Sequence, residues 1–382
     1  MAAGAGDAYW SRRRLPGVLK HHLLKTYVPQ FAGMTGSRYV TSEVVFLDGY
    51  AGRGRFDDGS PASAELILRM AEDHRSRVGL AWNCFFVERE RKSAAALAKV
   101  VGEYVDRGVR ASFHCGEVLD ILDSVVAAAR GRPLFVFLDP CGLGIPHERL
   151  HRLLRVERPA SWPPTEVLLN FSLEAVRRIG GLLHSADPNE RALDRLDESL
   201  GGTWWRQHFV HGVTDAAVDA VIEGFAAKTR KDAGLLIVSV PVRRAPHHKP
   251  IYHLMFGTRG QHGLWAFGDA LARASEAWWD TLDEVEGEAG PHALFTVTST
   301  VRPRLEASET SAVPVIADNM ADLLGLHPSF RTVDHTLAVF GDFYGQVREK
   351  VVRRSLAVLR DRGLTASDGK GQRPRDIVVV RR

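Results

Sequence analysis

Residues 45–56 read V-F-L-D-G-Y-A-G-R-G-R-F, an apolar run that ends at an acid and continues into a glycine-rich turn. Glycine lets backbone amides approach a ligand closely, and in a parallel sheet such a turn lies at the crevice beyond the carboxyl ends of the strands. An acid there can accept from an ammonium or a hydroxyl group. The stretch therefore predicts a ligand site on Asp48, Gly49, Gly52 and Gly54.

Further apolar runs alternate with helical stretches along the chain. They lack alternating polar residues, as strands buried on both faces do, and helices long enough for crossovers separate them. This pattern predicts a doubly wound, mostly parallel α/β sheet, with an antiparallel hairpin strand at its edge. The predicted strands are Val44–Leu47, Trp82–Val87, Arg110–His114, Leu134–Leu138, Val167–Phe171, Leu235–Val240 and Ile251–Phe256.

Acids follow the second and third predicted strands. Glu88 stands where a bidentate contact to two ribose hydroxyls requires a carboxylate. The alternative is that Glu88 only caps the helix that follows. Glu117 is a candidate contact to an adenine edge, or equally an acid that favours the N-terminus of a helix.

Polar side chains also follow the fourth and fifth predicted strands. Asp139, in the sequence L-D-P-C-G, is expected to share the crevice with Gly52, because the first and fourth strands are neighbours at the switch point. Asp-Pro resembles the Asp-Pro-Pro-aromatic element of amino-group methyltransferases, but Cys141 and Gly142 replace the second proline and the aromatic residue. Asn170 and Phe171 end the fifth strand, where Phe171 either supplies a stacking face or simply packs.

Composition bounds the protein class. The chain has 382 residues, a formal net charge of +4 and 3 cysteines that are isolated from one another. These values predict two or three globular domains with reduced thiols. No apolar run is long enough to span a membrane and the N-terminus has no signal-peptide core, so a cytoplasmic location is expected. His247 and His248 lack further ligands at metal-site spacing, so no metal is predicted.

Three segments are predicted from these patterns. Residues 1–40 form a leading segment whose helix, from Val18 to Phe31, is expected to end at Pro29. Residues 41–306 form the sheet domain with helical insertions. A Ser-, Thr- and Pro-containing linker over 307–314 then leads to a basic domain over 315–382, in which a helix, a Gly- and Arg-rich hairpin and a final strand follow the order of a winged helix.

The C-terminal segment carries most of the basic excess. Residues 342–382 contain 11 Lys and Arg against 5 Asp and Glu. This excess is typical of a nucleic-acid-binding module and equally of a solubility feature. The candidate contacts to nucleic acid are Arg348, Lys350, Arg353, Arg354, Lys370, Arg373 and Arg375.

Over about residues 18–260 the motif order resembles the three-Cys-motif partner (TcmP) family of bacterial methyltransferase-like proteins. The turn at 48–54 is similar to that family's D-x-F-A-G-x-G, with Tyr50 in place of the usual Phe. The other shared positions are His22, Lys25 and Tyr27, G-S-P at 59–61, F-L-D-P-x-G at 137–142 with Ile145 and Pro146, and L-L-N-F at 168–171. The resemblance implies a Rossmann-like class I methyltransferase domain that binds S-adenosylmethionine, with Tyr50 in the cofactor site, and a three-cysteine iron–sulfur protein of the radical type as partner.

Three functions are therefore considered. The first is S-adenosylmethionine-dependent methyl transfer to a nucleic acid or nucleotide-like substrate, with Asp139 and Asn170 orienting the acceptor. The second is a non-catalytic, nucleic-acid-binding subunit that retains the cofactor pocket, which D-P-C-G favours. A nicotinamide-dependent dehydrogenase is the third, and the turn disfavours it because Asp57 stands where the G-x-G-x-x-G pattern requires a third glycine.

Overall fold

The computed structural model describes residues 15–37, 42–288 and 304–382. The remaining parts of the predicted segments, residues 1–14, 38–41 and 289–303, lie outside the described residues. The chain divides into two compact units. Unit 1 comprises residues 1–16 and 31–259, and unit 2 comprises residues 17–30 and 260–382.

Unit 1 contains a seven-stranded sheet with the order β3-β2-β1-β4-β5-β7-β6. The strands are β1 (Glu43–Asp48), β2 (Ala81–Glu88), β3 (Arg110–Cys115), β4 (Leu134–Leu138), β5 (Thr165–Ser172), β6 (Leu236–Val242) and β7 (Tyr252–Thr258). All neighbouring pairs are parallel except those of β7, which runs antiparallel to both β5 and β6. The predicted Rossmann-like, doubly wound class I methyltransferase fold is confirmed.

The antiparallel strand lies one position further inside the sheet than predicted. β7 pairs with β5 on one side and β6 on the other, so the parallel strand β6 forms the edge. The hairpin pairing of β6 and β7 is local, whereas β7 reaches β5 only through a long-range register that pairs Leu168 with Phe256. A sequence pattern contains the first relation but not the second.

The central strands form because their side chains are apolar on both faces. Every residue of β1 and of β4 is buried, and these two strands pair directly in parallel. Strands covered on both faces require such continuous apolar runs. The edge strand β3 differs, with Phe113 44% exposed.

Helices flank the strands along the chain, in the order α1 (Leu15–Gly36), α2 (Ser63–Val78), α3 (Arg91–Val105), α4 (Leu122–Ala128), α5 (His147–His151), α6 (Leu173–Gly180), α7 (Glu190–Leu200) and α8 (Asp215–Ala233). The prediction that the first helix ends at Pro29 is wrong, because α1 continues through Pro29 to Gly36. Proline removes one backbone hydrogen bond from a helix interior. Burial of Val28, Phe31 and Ala32 around it offsets that loss.

Unit 2 has its own apolar core. Its further elements are α9 (Gln261–Glu288), α10 (Leu305–Leu326), β8 (Ser329–Arg331), α11 (Thr336–Phe340), α12 (Val351–Asp361) and β9 (Val378–Val380). The short strands β8 and β9 pair antiparallel, with Phe330 opposite Val379. The winged-helix assignment of residues 315–382 stays a prediction.

The linker expected over residues 307–314 is wrong, because these residues lie inside α10. Ala312, Ile316 and Met320 of this helix are fully buried in the core of unit 2. Pro314 costs α10 one backbone hydrogen bond, and the buried apolar face stabilises the helix across it. The described residues contain no helix that is both long and apolar enough to span a membrane.

Candidate functional site

The glycine-rich turn after β1 lies across the ends of three neighbouring strands of unit 1. The Gly49 amide donates to the carbonyl of Phe137 in β4 at 2.9 Å, and the Ala51 amide donates to the carbonyl of Val87 in β2 at 2.8 Å. Parallel strands present their carboxyl ends at one edge of a sheet. The turn is therefore fixed at that edge, at the centre of the sheet.

Asp48 holds this turn from below. The side chain is completely buried, Oδ1 accepts from the Tyr50 amide at 3.1 Å and Oδ2 accepts from the Ser63 hydroxyl at 2.7 Å. These contacts join the turn to the start of α2. The structure thus gives Asp48 a positioning role, rather than the exposed position that the predicted contact with a ligand ammonium requires.

Backbone conformation and close packing explain the predicted glycines. Gly52 and Gly54 have φ of 62° and 81°, in the left-handed region that favours glycine. A Cβ at Gly49 would lie 2.7 Å from Leu138 Cδ2 and 3.0 Å from Val118 Cγ2. The three glycines therefore give the turn its shape and let it lie against β4.

Glu88 lies beside the turn at the end of β2. Its Oε2 accepts from the Gly52 amide at 3.0 Å and its Oε1 accepts from the Glu90 amide at 2.6 Å. The alternative that Glu88 caps the following helix is wrong, because Glu90 is the residue whose side chain accepts from the Lys92 and Ser93 amides at the start of α3. Glu88 is instead a half-buried carboxylate fixed against the turn.

Glu117 has the helix-terminus geometry of its alternative interpretation. It precedes the short helical turn Val118–Asp120 and forms a reciprocal capping box with Asp120. Glu117 also forms an ion pair with Arg89 at 3.2 Å. Burial raises the pKa of the Tyr50 phenol well above its usual range; Glu117 raises it further and Arg89 lowers it. Tyr50, Arg89 and Glu117 therefore interact electrostatically on the side of the turn that faces β2 and β3.

Asp139 and Asn170, the predicted acceptor residues, meet at the ends of β4 and β5. Asn170 Nδ2 donates to Asp139 Oδ1 at 2.8 Å. A carboxylate only accepts, so this bond fixes the orientation of the amide. The other amide oxygen, Asn170 Oδ1, is buried and makes no hydrogen bond in the described part of the chain.

A cavity of about 420 Å³, partly open to solvent, adjoins this pair. Ligand sites in proteins typically enclose roughly 300–1,000 Å³. The walls are mostly apolar, and Asn170, Ser172 and Ser199 contribute polar side chains. The lining residues are Gly142, Leu143, Gly144, Ile145, Leu150, Leu169, Asn170, Phe171, Ser172, Val176, Leu196, Ser199, Leu200 and Phe225.

Phe171 combines both of its predicted roles. It is 6% exposed, lies 5.0 Å from the Phe225 ring between centroids, and lines the cavity. Sequence reasoning missed Phe225, Ser199 and Ser63, which come from α8, α7 and α2. No local motif marks these positions, since each joins the site only through helix packing.

Four of the predicted nucleic-acid contacts in unit 2 make contacts within the protein. Arg348 Nε lies 2.6 Å from Glu309 Oε1, and Lys350 Nζ lies 3.0 Å from Glu309 Oε2. Arg353 donates to the Gly369 carbonyl at 2.7 Å and also to the carbonyl of Gln372. Arg354 donates to Thr310 Oγ1 at 3.4 Å. These side chains stabilise unit 2 itself.

The hairpin cations are more accessible. Lys370 is 87% exposed at 3.6 Å from Asp368, and Arg375 lies 3.8 Å from Asp376. Arg373 is exposed. The electrostatic case for a polyanion therefore rests on the hairpin rather than on α12. Within the described ranges, no group of three or more His, Cys, Asp or Glu side chains is arranged to hold a metal ion.

Comparisons with known proteins add a likeness in fold. No family model matches the chain, and no curated protein matches it in sequence. Among solved structures, the chain is similar to the methyltransferase domain of bacterial CtHen1-CN, with 13% identity, 63% of this chain and 99% of that chain covered, and a TM-score of 0.32. A putative class I S-adenosylmethionine-dependent methyltransferase from Listeria monocytogenes has 9% identity, coverage of 67% and 62%, and a TM-score of 0.32. A putative O-methyltransferase from Klebsiella pneumoniae has 13% identity, coverage of 67% and 91%, and a TM-score of 0.29.

Proposed function

We propose that unit 1 is an S-adenosylmethionine-dependent methyltransferase. The observation that carries the proposal is the placement of two polar groups at one edge of a class I methyltransferase sheet. Glu88 is held against the glycine-rich turn at the ends of β1 and β2. The Asp139 and Asn170 pair lies beside an apolar cavity at the ends of β4 and β5. The first group suits a nucleoside and the second suits a methyl acceptor.

Glu88 has the free acceptor capacity that a ribose requires. An ionised carboxylate offers about four lone-pair sites, and the Gly52 and Glu90 amides use two of them. The remaining sites suit two neighbouring hydroxyl donors. The two amides also hold the carboxylate in one orientation before a ligand arrives, which lowers the entropy cost of binding.

The remaining polar residues orient the acceptor. When bound, S-adenosylmethionine supplies a methyl carbon that an acceptor lone pair attacks, while the bond from that carbon to sulfur breaks and its electron pair stays on sulfur. Asp139 takes the proton that the acceptor heteroatom loses, and the bond from Asn170 holds Asp139 in place. Transfer of this kind depends mainly on positioning the two reactants.

The finer expectations from the TcmP resemblance stay predictions. The shared motifs in β1, β4 and β5 support TcmP-like membership and, with it, a three-cysteine iron–sulfur partner. The exposed hairpin cations Lys370 and Arg373 support a nucleic-acid or nucleotide-like acceptor. The ion pairs of Arg348 and Lys350 weaken that support, because their charges are compensated by Glu309.

Calorimetric titration with S-adenosylmethionine, and separately with NAD, tests the proposed cofactor. We expect saturable binding of S-adenosylmethionine alone. Glu88→Gln should weaken that binding about tenfold or more, since hydrogen bonds to a charged group contribute roughly 1.5–3 kcal/mol. Glu223→Gln, an exposed carboxylate on α8, is the matched control and should bind like the unsubstituted protein. Absence of binding, or equal binding by both variants, would overturn the proposal.

The non-catalytic alternative is separated by Asp139→Ala. D-P-C-G favours this alternative, because it lacks the aromatic residue of the amino-group methyltransferase element. In a methyltransferase, Asp139→Ala abolishes transfer of a labelled methyl group and leaves cofactor binding intact. A protein that binds the cofactor but transfers no methyl group to any acceptor tested, with or without Asp139, would favour the non-catalytic subunit.

A further inference from the structure

The cavity beside Asn170 differs in character from the cofactor turn. Its walls come from the segment after β4, the end of β5 and helices α6, α7 and α8, and most of its lining side chains are aliphatic or aromatic. Leu169, Leu196 and Phe225 are each less than a tenth exposed. A mainly apolar cavity binds a ligand body through burial of apolar surface.

One polar atom in this lining has an unmet requirement. Asn170 Oδ1 is buried and makes no hydrogen bond in the described residues, while Nδ2 of the same amide donates to Asp139. The bond to Asp139 prevents the amide from turning over, because a carboxylate cannot donate to the oxygen. A buried polar atom without a partner is costly, so this oxygen favours a ligand that brings a donor.

We infer that the methyl acceptor is a small, mainly apolar or aromatic molecule that carries one N–H or O–H group, and that this group donates to Asn170 Oδ1. The inference rests on the proposed function for the word acceptor, whereas the binding preference rests on the cavity alone. The rings of Phe171 and Phe225, 5.0 Å apart between centroids, give the cavity aromatic surface. A flat aromatic body therefore matches it in shape and polarity.

The same geometry argues against a base extruded from a nucleic acid as the acceptor. A nucleobase has several donors and acceptors on its edges, and enzymes that take up a flipped base hydrogen-bond those edges. The cavity offers only Asn170, Ser172 and Ser199 as polar side chains. The Ser199 hydroxyl already donates to the Gly144 carbonyl at 3.4 Å. Most of the polar edge of a base would be left without partners.

A matched pair of probes tests the inference. Indole has an apolar aromatic body with one N–H donor, and 1-methylindole has the same rings without the donor. In a ligand-observed NMR titration, we expect indole to bind and 1-methylindole to bind at least tenfold more weakly. Equal affinity for the two probes, or binding of neither, would overturn the inference.

Two variants locate the effect. Asn170→Leu removes the acceptor oxygen and should abolish the preference for indole. Ser199→Trp fills the cavity from its partly exposed α7 side while Asn170 stays intact, and it should abolish binding of both probes. Indole preference that survives in Asn170→Leu, or probe binding that survives in Ser199→Trp, contradicts the assignment. Ser199→Trp keeps the test decisive if Asn170→Leu does not fold.

A separate titration distinguishes this inference from the proposed function. Binding of S-adenosylmethionine is measured on the same full-length protein without either probe. Saturable cofactor binding with no discrimination between the probes defeats the inference and leaves the methyltransferase proposal standing. Discrimination between the probes without any cofactor binding supports the cavity's donor preference and defeats the methyltransferase proposal.

Discussion

At the scale of single residues, Asp48 shows how a conspicuous acid serves a site without reaching it. Its two oxygens accept from the Tyr50 amide and the Ser63 hydroxyl, and the side chain has no exposed surface. A buried carboxylate with such partners fixes local geometry, because losing any of them costs free energy. The shape of the turn therefore depends on Ser63, a residue outside the motif.

Ser63→Ala tests this dependence. Removing the hydroxyl that donates to Asp48 should lower the free energy of unfolding by about 1–3 kcal/mol. The cofactor affinity should fall with it, because the turn loses its tether to α2. Urea denaturation and calorimetric titration measure the two effects.

Ser76→Ala on the same helix is the control for that substitution. Its hydroxyl is exposed and donates only locally, to the Asp73 carbonyl at 3.0 Å. The change there should stay within about 0.5 kcal/mol, as for surface substitutions in general. If both serines proved equally dispensable, the positioning role of Asp48 would be wrong.

His147 predicts a pH dependence of stability. Burial lowers the pKa of this imidazole to about 4; Lys228 lowers it further and Asp232 opposes the shift. The folded-state value lies below the ordinary value of 6.5, so the unfolded chain takes up the proton first as the pH falls. The contribution of His147 is therefore complete above pH 6.5 and is lost as the pH falls through about 4.

Chemical denaturation at a series of pH values between 7.5 and 4 measures this effect. His147→Phe should reduce the dependence of the free energy of unfolding on pH. The matched control is His211→Phe, at an exposed position, and it should leave that dependence unchanged. Curves of identical slope for the unsubstituted protein and His147→Phe would contradict the prediction.

At the scale of elements, α10 and the residues before α12 are joined by a buried acid. Glu309 is 1% exposed and pairs with Arg348 and Lys350. Burial raises the pKa of Glu309, while hydrogen bonds from Arg348 and Lys350 lower it and prevail, so the net pKa lies below its ordinary value. The stabilisation is present above the unfolded-state pKa and is lost as the pH falls through the lower folded-state value.

Arg348→Ala and Arg373→Ala separate a structural cation from a candidate binding cation. Arg348→Ala should lower the free energy of unfolding of unit 2 by about 1–3 kcal/mol, because it leaves Glu309 with one partner fewer. Arg373→Ala, at an exposed hairpin position, should leave stability unchanged. Thermal denaturation measures both effects, and equal losses of stability would contradict the assignment.

The same pair of variants tests the predicted nucleic-acid contact. In fluorescence anisotropy with a labelled oligonucleotide at several salt concentrations, Arg373→Ala should weaken binding and reduce the salt slope by about 1. No binding by the unsubstituted protein at low salt would reject the nucleic-acid prediction for unit 2.

The sequence predicted the elements of unit 1 well, because buried parallel strands carry continuous apolar runs. Leu134–Leu138 was predicted with its observed bounds, and Asp139 and Asn170 follow directly from their strands. The misread positions are those where tertiary packing overrides a local signal. Pro29 lies inside a helix, and β7 lies between β5 and β6 through a register that no local pattern encodes.

At the scale of the whole molecule, the two units are discontinuous in sequence. Unit 2 includes residues 17–30 as well as 260–382. Trp265 of α9 belongs to the same core as Ile316 and Phe340. Composition suggested a break at 307–314, but that stretch is helical and α9 belongs to the later core. Membership of a core depends on contacts between distant residues, which composition does not record.

The central claim is that the turn after β1 and the end of β2 form the cofactor site of unit 1. Hydrogen–deuterium exchange with and without S-adenosylmethionine tests it most directly. The account predicts slower exchange in residues 49–54 and 88–90, with β6 (Leu236–Val242), at the far edge of the sheet, unchanged. Unaltered exchange throughout residues 49–54 and 88–90 at saturating S-adenosylmethionine would contradict it.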